Sequence, residues 1–149
     1  MGFKLFLLLE NILMLLPKGA RKAFFSSLAT IGYHISKKYR NIAYRNLDYV
    51  FDNKLDFKQK DEITRYSFKN LLFNFLHLME LRHMTKDELQ QKITIQNIEA
   101  VQKVHKEGRA VIYVTTHYSS WELGGASIGA FIEPLTAVYK KLKNEQYQD

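Results

Sequence analysis

Apolar residues fall at helical spacing through the first half of the chain and in short β-branched runs through the second. Residues 3–16 are apolar apart from Lys4, Glu10 and Asn11. This run is shorter than the ~20 apolar residues a spanning helix needs, and it predicts a helix lying in or dipping into a membrane surface. A helix buried in a soluble core would give the same pattern. Pro17-Lys18-Gly19 ends it. From about residue 20 to 50 a second helix is predicted, with Phe24, Leu28, Ile31, Ile35 and Ile42 forming one apolar stripe. Asp52-Asn53-Lys54 reads as a turn and Asp56 as the N-cap of a helix over 57–83. The second half of that helix is apolar around most of its circumference, which predicts burial. Thr85-x-x-Glu88 is a capping box that opens a short helix.

Beyond residue 90 the period changes. Short strands are expected over 92–95, 110–115 and 135–139, with helices over 97–107 and 120–131. Asn97 caps the first of these helices, with Ile98, Val101 and Val104 inward, and Gly108 closes it. This βαβαβ order predicts an α/β fold, with N-terminal helices followed by a parallel sheet with right-handed crossovers. The run Val111-Ile112-Tyr113-Val114 suits a strand buried on both faces. Gly124, Gly125, Ala126, Ser127 and Gly129 make the last helix small-sided, which permits close helix–sheet contact or leaves room for a ligand chain.

Charge sharpens the picture of the first half. The net charge is +7, and residues 11–47 hold seven basic side chains and no acid, while the rest of the chain is balanced. The basic residues are Lys18, Arg21, Lys22, Lys37, Lys38, Arg40 and Arg45. A localised positive field calls for an anionic partner. Anionic lipid fits best, since each basic residue near such a leaflet contributes on the order of 1 kcal/mol. Nucleic acid is disfavoured: no binding motif is present and the same segment is too apolar. There is no cysteine, which excludes disulfides, thiolate metal sites and cysteine nucleophiles. His77 and His83 are six apart, do not share a helix face and read as structural.

The candidate chemistry lies at the end of the central predicted strand. His117 leaves that strand and Glu122 follows five positions later. Ligands bind at the carboxyl ends of strands in open α/β sheets, and an imidazole held by a carboxylate is a general base. The same residues have a plainer reading, since Ser119-x-x-Glu122 is also a capping box. Ser119 and Ser120 do not sit in a G-x-S-x-G elbow.

The H-x4-E motif of His117 and Glu122 follows Gly108-Arg109-Ala110-Val111-Ile112 and precedes Leu123-Gly124-Gly125. In this setting it resembles the bacterial lipid A biosynthesis (lauroyl/myristoyl) acyltransferases of the lysophospholipid acyltransferase superfamily. Arg40-Asn41-Ile42-Ala43, Asn46-Leu47 and Phe51 are similar to that family as well. The resemblance implies transfer of a fatty acyl group from an acyl carrier protein or acyl-CoA thioester to a hydroxyl of a lipid A precursor. It implies His117 and Glu122 as catalytic, no metal or organic cofactor, and a location on the cytoplasmic face of the bacterial inner membrane. Where the family has Tyr-Arg-Pro this chain has Tyr139-Lys140-Lys141, which makes Lys140 a substrate-binding candidate without the bidentate fork of arginine. The expected organisation is a membrane-associated helix over 1–17 and, over 18–149, the N-terminal part of one acyltransferase domain that continues further and is inactive alone. Another lysophospholipid or glycolipid acyltransferase, a thioesterase and a non-catalytic membrane-binding protein are the alternatives.

Overall fold

The computed structural model describes residues 2–116, 118–132 and 136–138. Among them are seven helices and no strand: α1 (Gly2–Leu15), α2 (Lys18–Ile35), α3 (Lys37–Val50), α4 (Phe57–Arg82), α5 (Lys86–Lys92), α6 (Ile98–Lys106) and α7 (Trp121–Phe131). Contacts divide the chain into two units, one of Glu10–His77 and one of Met1–Leu9 with Leu78–Asp149.

Most elements set by neighbouring residues form as expected, although the Asn97 side chain makes no cap bond at the start of α6. α1 stops before Pro17, which becomes the N-cap of α2 with φ −56°. Asp52 and Asn53 take left-handed φ values of 51° and 58° in the turn after α3. Asp56 and Gln59 form a reciprocal cap. The Asp56 carboxylate accepts from the Gln59 N–H at 2.8 Å, and the Asp56 N–H donates to Gln59 Oε1 at 2.9 Å. Thr85 and Glu88 close the capping box in the same manner. Gly108, at φ 70°, ends α6, and its N–H donates to the His105 carbonyl.

The helix expected over 20–50 is two helices. The chain breaks at Ser36, with φ −85° and ψ 60°. A serine offers its backbone local alternatives to the helix. The break is held from beyond it: the Arg40 guanidinium donates to the Tyr33 carbonyl at 2.7 Å and to the His34 carbonyl at 3.3 Å. These oxygens belong to the last turn of α2, where helix carbonyls lack internal partners.

In the Glu10–His77 unit, three helices meet at one carboxylate. Asp61 on α4 accepts hydrogen bonds from the Tyr33 hydroxyl of α2 and, at 2.8 Å, from the Tyr44 hydroxyl of α3. The two hydroxyls lie 3.0 Å apart. Arg65, one turn on, donates Nε–H to the other Asp61 oxygen at 2.7 Å. The Arg65 guanidinium also lies 4.1 Å from the Tyr33 ring centre, and that of Arg40 lies 5.0 Å from it. Lys60 pairs with Asp48 at 2.8 Å, a second tie between α3 and α4. Hydrogen bonds from Tyr33, Arg65 and Tyr44, in that order of size, hold the Asp61 carboxyl down at about 2. Burial, then the Tyr33 and Asp61 contacts, push the Tyr44 hydroxyl upward.

The apolar stripe of α2 faces the other way from a core stripe. Phe25, Ala29 and Tyr33 are buried, whereas Phe24, Leu28, Ile31 and Ile35 are exposed. The reason is the polar end of Tyr33: satisfying that hydroxyl at Asp61 turns its own face inward, and the stripe on the other side is left open. The burial expected for the second half of α4 is likewise not found. Leu76 is buried, but Leu71, Phe75 and Leu78 are exposed.

The expected α/β fold with its βαβαβ parallel sheet is not what the chain adopts. α5 runs to Lys92, and 93–95 is irregular. Residues 109–116 and 136–138 carry no regular structure, and positions 135 and 139 of the third expected strand lie outside the described residues. A β-branched run becomes a strand only when another strand completes its backbone ladder, and among the described residues none does. The run keeps its period-two habit without the sheet. Val111 and Tyr113 are half-buried, while Ile112 and Val114 are 90% and 91% exposed. What holds it is a side chain: the Tyr113 hydroxyl lies 3.2 Å from His105 Nε2 on α6. In this unit α5 packs on α7, with Leu89 and Ser127 buried and Gln90 donating to the Ala130 carbonyl at 2.9 Å. On α6, Ile98, Val101 and Val104 are half-buried along one face.

Two stability predictions follow from the polar groups of the helical unit. The Thr64 hydroxyl on α4 is 1% exposed and has no partner among the described residues. An unpaired buried hydroxyl costs about 1–3 kcal/mol, so Thr64→Val should raise the melting temperature, and a drop would count against this account. For Asp61 the folded pKa is lowered, so its contribution is complete above the ordinary carboxyl range and is lost as pH falls from about 4 toward about 2. Asp61→Asn should cost about 1.5–3 kcal/mol at neutral pH. It should also remove the step in stability between those pH values, as read by thermal melts across the range.

Candidate functional site

Of the three residues singled out by sequence, His117 and Lys140 lie outside the described residues, and Glu122 is described. The local frame around Glu122 decides what that carboxylate is free to do. Ser119 takes a left-handed φ of 52°, and the N-cap of α7 is Ser120, not Ser119. Trp121 is then the first helical residue and Glu122 the second. A capping box needs its carboxylate at the third position, which Leu123 occupies, and the Ser120 side chain makes no cap bond. The plainer reading of Ser119 and Glu122 is therefore not realised. Glu122 is half-buried in the first turn of α7 and makes no hydrogen bond or ion pair among the described residues. Its negative charge stands at the positive end of the helix dipole, a favourable place for an anion.

The small residues of α7 flank this carboxylate. A Cβ built on Gly124, Gly125 or Gly129 would meet no described atom within 4 Å. Close packing against described residues therefore does not explain these glycines, and the space beside them is open among the described residues. Ser127 is not a nucleophile in waiting: it is buried, and its hydroxyl donates to the Leu123 carbonyl at 2.5 Å. No group of three or more acidic or histidine side chains that would hold a metal occurs among the described residues.

The sequence did not point to the cluster around Tyr33, Tyr44, Asp61 and Arg65. Only its α4 part has a local signature, the pair Asp61 and Arg65 at four-residue spacing. The tyrosines come from helices 17 and 28 residues away in the chain, a distance at which spacing carries no signal.

A family model described as bacterial lipid A biosynthesis acyltransferase matches residues 2–148. No curated protein and no solved structure matches the chain. The match takes in the glycine–arginine lead, the H-x4-E pair and the Glu-x-Gly-Gly exit together with all seven helices. With almost its whole length inside that model, the chain belongs to the bacterial lipid A biosynthesis acyltransferase family.

Proposed function

We propose that the chain transfers a fatty acyl group from an acyl carrier protein or acyl-CoA thioester to a hydroxyl of a glucosamine-based lipid A precursor. The observation that carries this reading is Glu122. It stands five residues after His117 in a family-matched chain, and capping does not use it. In the reaction His117 accepts the proton of the acceptor hydroxyl as its oxygen attacks the thioester carbonyl. Glu122 orients the imidazole and stabilises the imidazolium. Collapse of the tetrahedral intermediate breaks the C–S bond, and the leaving thiolate takes the proton back from the imidazolium. Backbone N–H groups of the first turn of α7 supply donors for the oxyanion. Lys140 contributes a positive charge toward a phosphate of donor or acceptor.

The reaction takes place, in this reading, at the cytoplasmic face of the inner membrane. Support comes from α1, which exposes apolar side chains as well as Lys4 and Asn11. Glu10 is 2% exposed, while Leu5, Leu8, Leu9, Ile12 and Leu15 are all more than half exposed. Such a helix suits lipid as its solvent, and the basic residues that follow suit anionic headgroups. No helix among the described residues is long and apolar enough to cross a membrane.

Two outcomes test the reading in the intact protein. His117→Ala and Glu122→Gln should each lower acyl transfer to the lipid acceptor by about 10²–10⁴-fold without lowering the melting temperature. Transfer by His117→Ala near the unsubstituted rate would end the assignment, and release of free fatty acid in place of acylated lipid would make the protein a thioesterase. The glycine face of α7 gives the second outcome. Gly125→Ala should stabilise the helix by about 0.5–1 kcal/mol. It should lower transfer of the longest acyl chains first if the open space beside Gly125 receives the donor chain. Unchanged chain-length preference would detach these glycines from the substrate.

A further inference from the structure

The Glu10–His77 unit holds a cleft of about 210 Å³ that uses no residue of the H-x4-E segment. One wall is α2, which contributes Ser26 and Thr30, one turn apart. The other is α4, which contributes Arg65 and Lys69, also one turn apart, together with Tyr66, and Tyr33 lies between the walls. No carboxylate lines it. We propose that this cleft is a binding subsite for a phosphate monoester.

The case rests on which donors are already spent. Arg65 gives its Nε–H to Asp61 at 2.7 Å. Its two terminal nitrogens make no hydrogen bond among the described residues, and the Tyr33 ring at 4.1 Å holds the guanidinium in place. Those terminal nitrogens are the fork that grips a phosphoryl group. The Asp61 hydrogen bond keeps the guanidinium charged, and the carboxylate itself is also engaged by two tyrosine hydroxyls. Lys69 has no carboxylate partner among the described residues; its ammonium lies 5.6 Å from the Phe73 ring centre. The Thr30 hydroxyl is committed to the Ser26 carbonyl at 3.0 Å, and the Ser26 hydroxyl is left over as a donor. A fixed guanidinium fork, a movable ammonium and a hydroxyl make a donor set for a tetrahedral dianion. Lys54 and Arg109, by contrast, are paired to their neighbours Asp52 and Glu107.

The phosphate monoester could be carried by a lipid headgroup or by a soluble molecule, and the test separates the two. Inorganic phosphate is titrated into the chain in a non-ionic detergent, and the Arg65 Nε–H and the Ser26 and Thr30 amides are followed by NMR. Saturating shifts confined to the cleft are expected. Lys69→Met should weaken phosphate binding on the order of tenfold, the loss of one charge-assisted contact. Lys69 takes no part in the Asp61 cluster, so this variant should melt as the unsubstituted chain does. Arg65→Lys, which keeps the charge and loses the fork, should weaken binding as well. The second arm is flotation with phosphatidylcholine vesicles, with and without phosphatidic acid. Loss of the phosphatidic-acid-dependent fraction in Lys69→Met assigns the subsite to a headgroup. Loss of inorganic phosphate binding with flotation unchanged assigns it to a soluble phosphate monoester. If Lys69→Met alters neither, or if the shifts fail to saturate and spread over the basic residues of α3, the proposal is overturned.

Discussion

The Asp61 carboxylate is the point on which the helical unit turns. It takes hydrogen bonds from tyrosines on two other helices and from an arginine on its own. A carboxylate with three donors is strongly committed to its charged form, and charge-assisted bonds are about twice as strong as neutral ones. The cluster has to be strong because little else closes the unit. Its fully buried apolar side chains are Phe25, Ala29, Tyr33 and Leu76, a small core for three helices. The Tyr33 ring joins the two economies, apolar on its faces and polar at its tip. Its edge-on contacts to Phe68 and His34 are fixed by where its hydroxyl must go.

That commitment explains why the apolar stripe of α2 looks outward. A helix can carry two faces that qualify for burial, and the hydrophobic pattern alone ranks them by apolar content. By that measure Phe24, Leu28, Ile31 and Ile35 outrank Phe25, Ala29 and Tyr33. The structure chooses the second set because only that face carries the hydroxyl whose partner is on α4. The first set is then left facing a medium. On α1, too, apolar side chains are exposed, among them Leu5, Leu8, Leu9 and Leu15. Exposed apolar surface of this kind is where a protein meets a partner or a membrane, and the function proposed above assigns it to lipid.

What could be read from the sequence was what neighbouring residues decide. The Pro17 boundary, the Asp52-Asn53 turn, the caps at Asp56 and Thr85, and the Gly108 stop all depend on side chains within four positions. The Ser36 break depends on Arg40 reaching back to carbonyls six and seven residues earlier, and no helix-stop signal describes that. The strands failed for a deeper reason. Val111 to Val114 has strand composition and even strand-like alternation of exposure, but a strand is a relation between segments, and composition does not supply the second segment. Around the site, the helical start that carries Glu122 was legible in the sequence, while the cleft around Arg65 and Lys69 was invisible because its walls come from helices far apart in the chain.

The start of α7 shows how one residue of register alters chemistry. Had Ser119 been the N-cap, Glu122 would have been the third helical residue and its carboxylate would have folded back on the backbone, as that of Glu88 does at α5. Ser119 instead takes a left-handed backbone, which most side chains avoid at some energetic cost. The helix begins one residue later, and Glu122 moves to the second position. The two boxes thus share a sequence pattern and differ in outcome, and the difference is a single φ angle. Strain of that kind persists where the surrounding structure holds it, and it leaves α7 with a carboxylate at its positive end that the helix itself does not consume. In the reaction proposed above, that is the carboxylate asked to orient the imidazole.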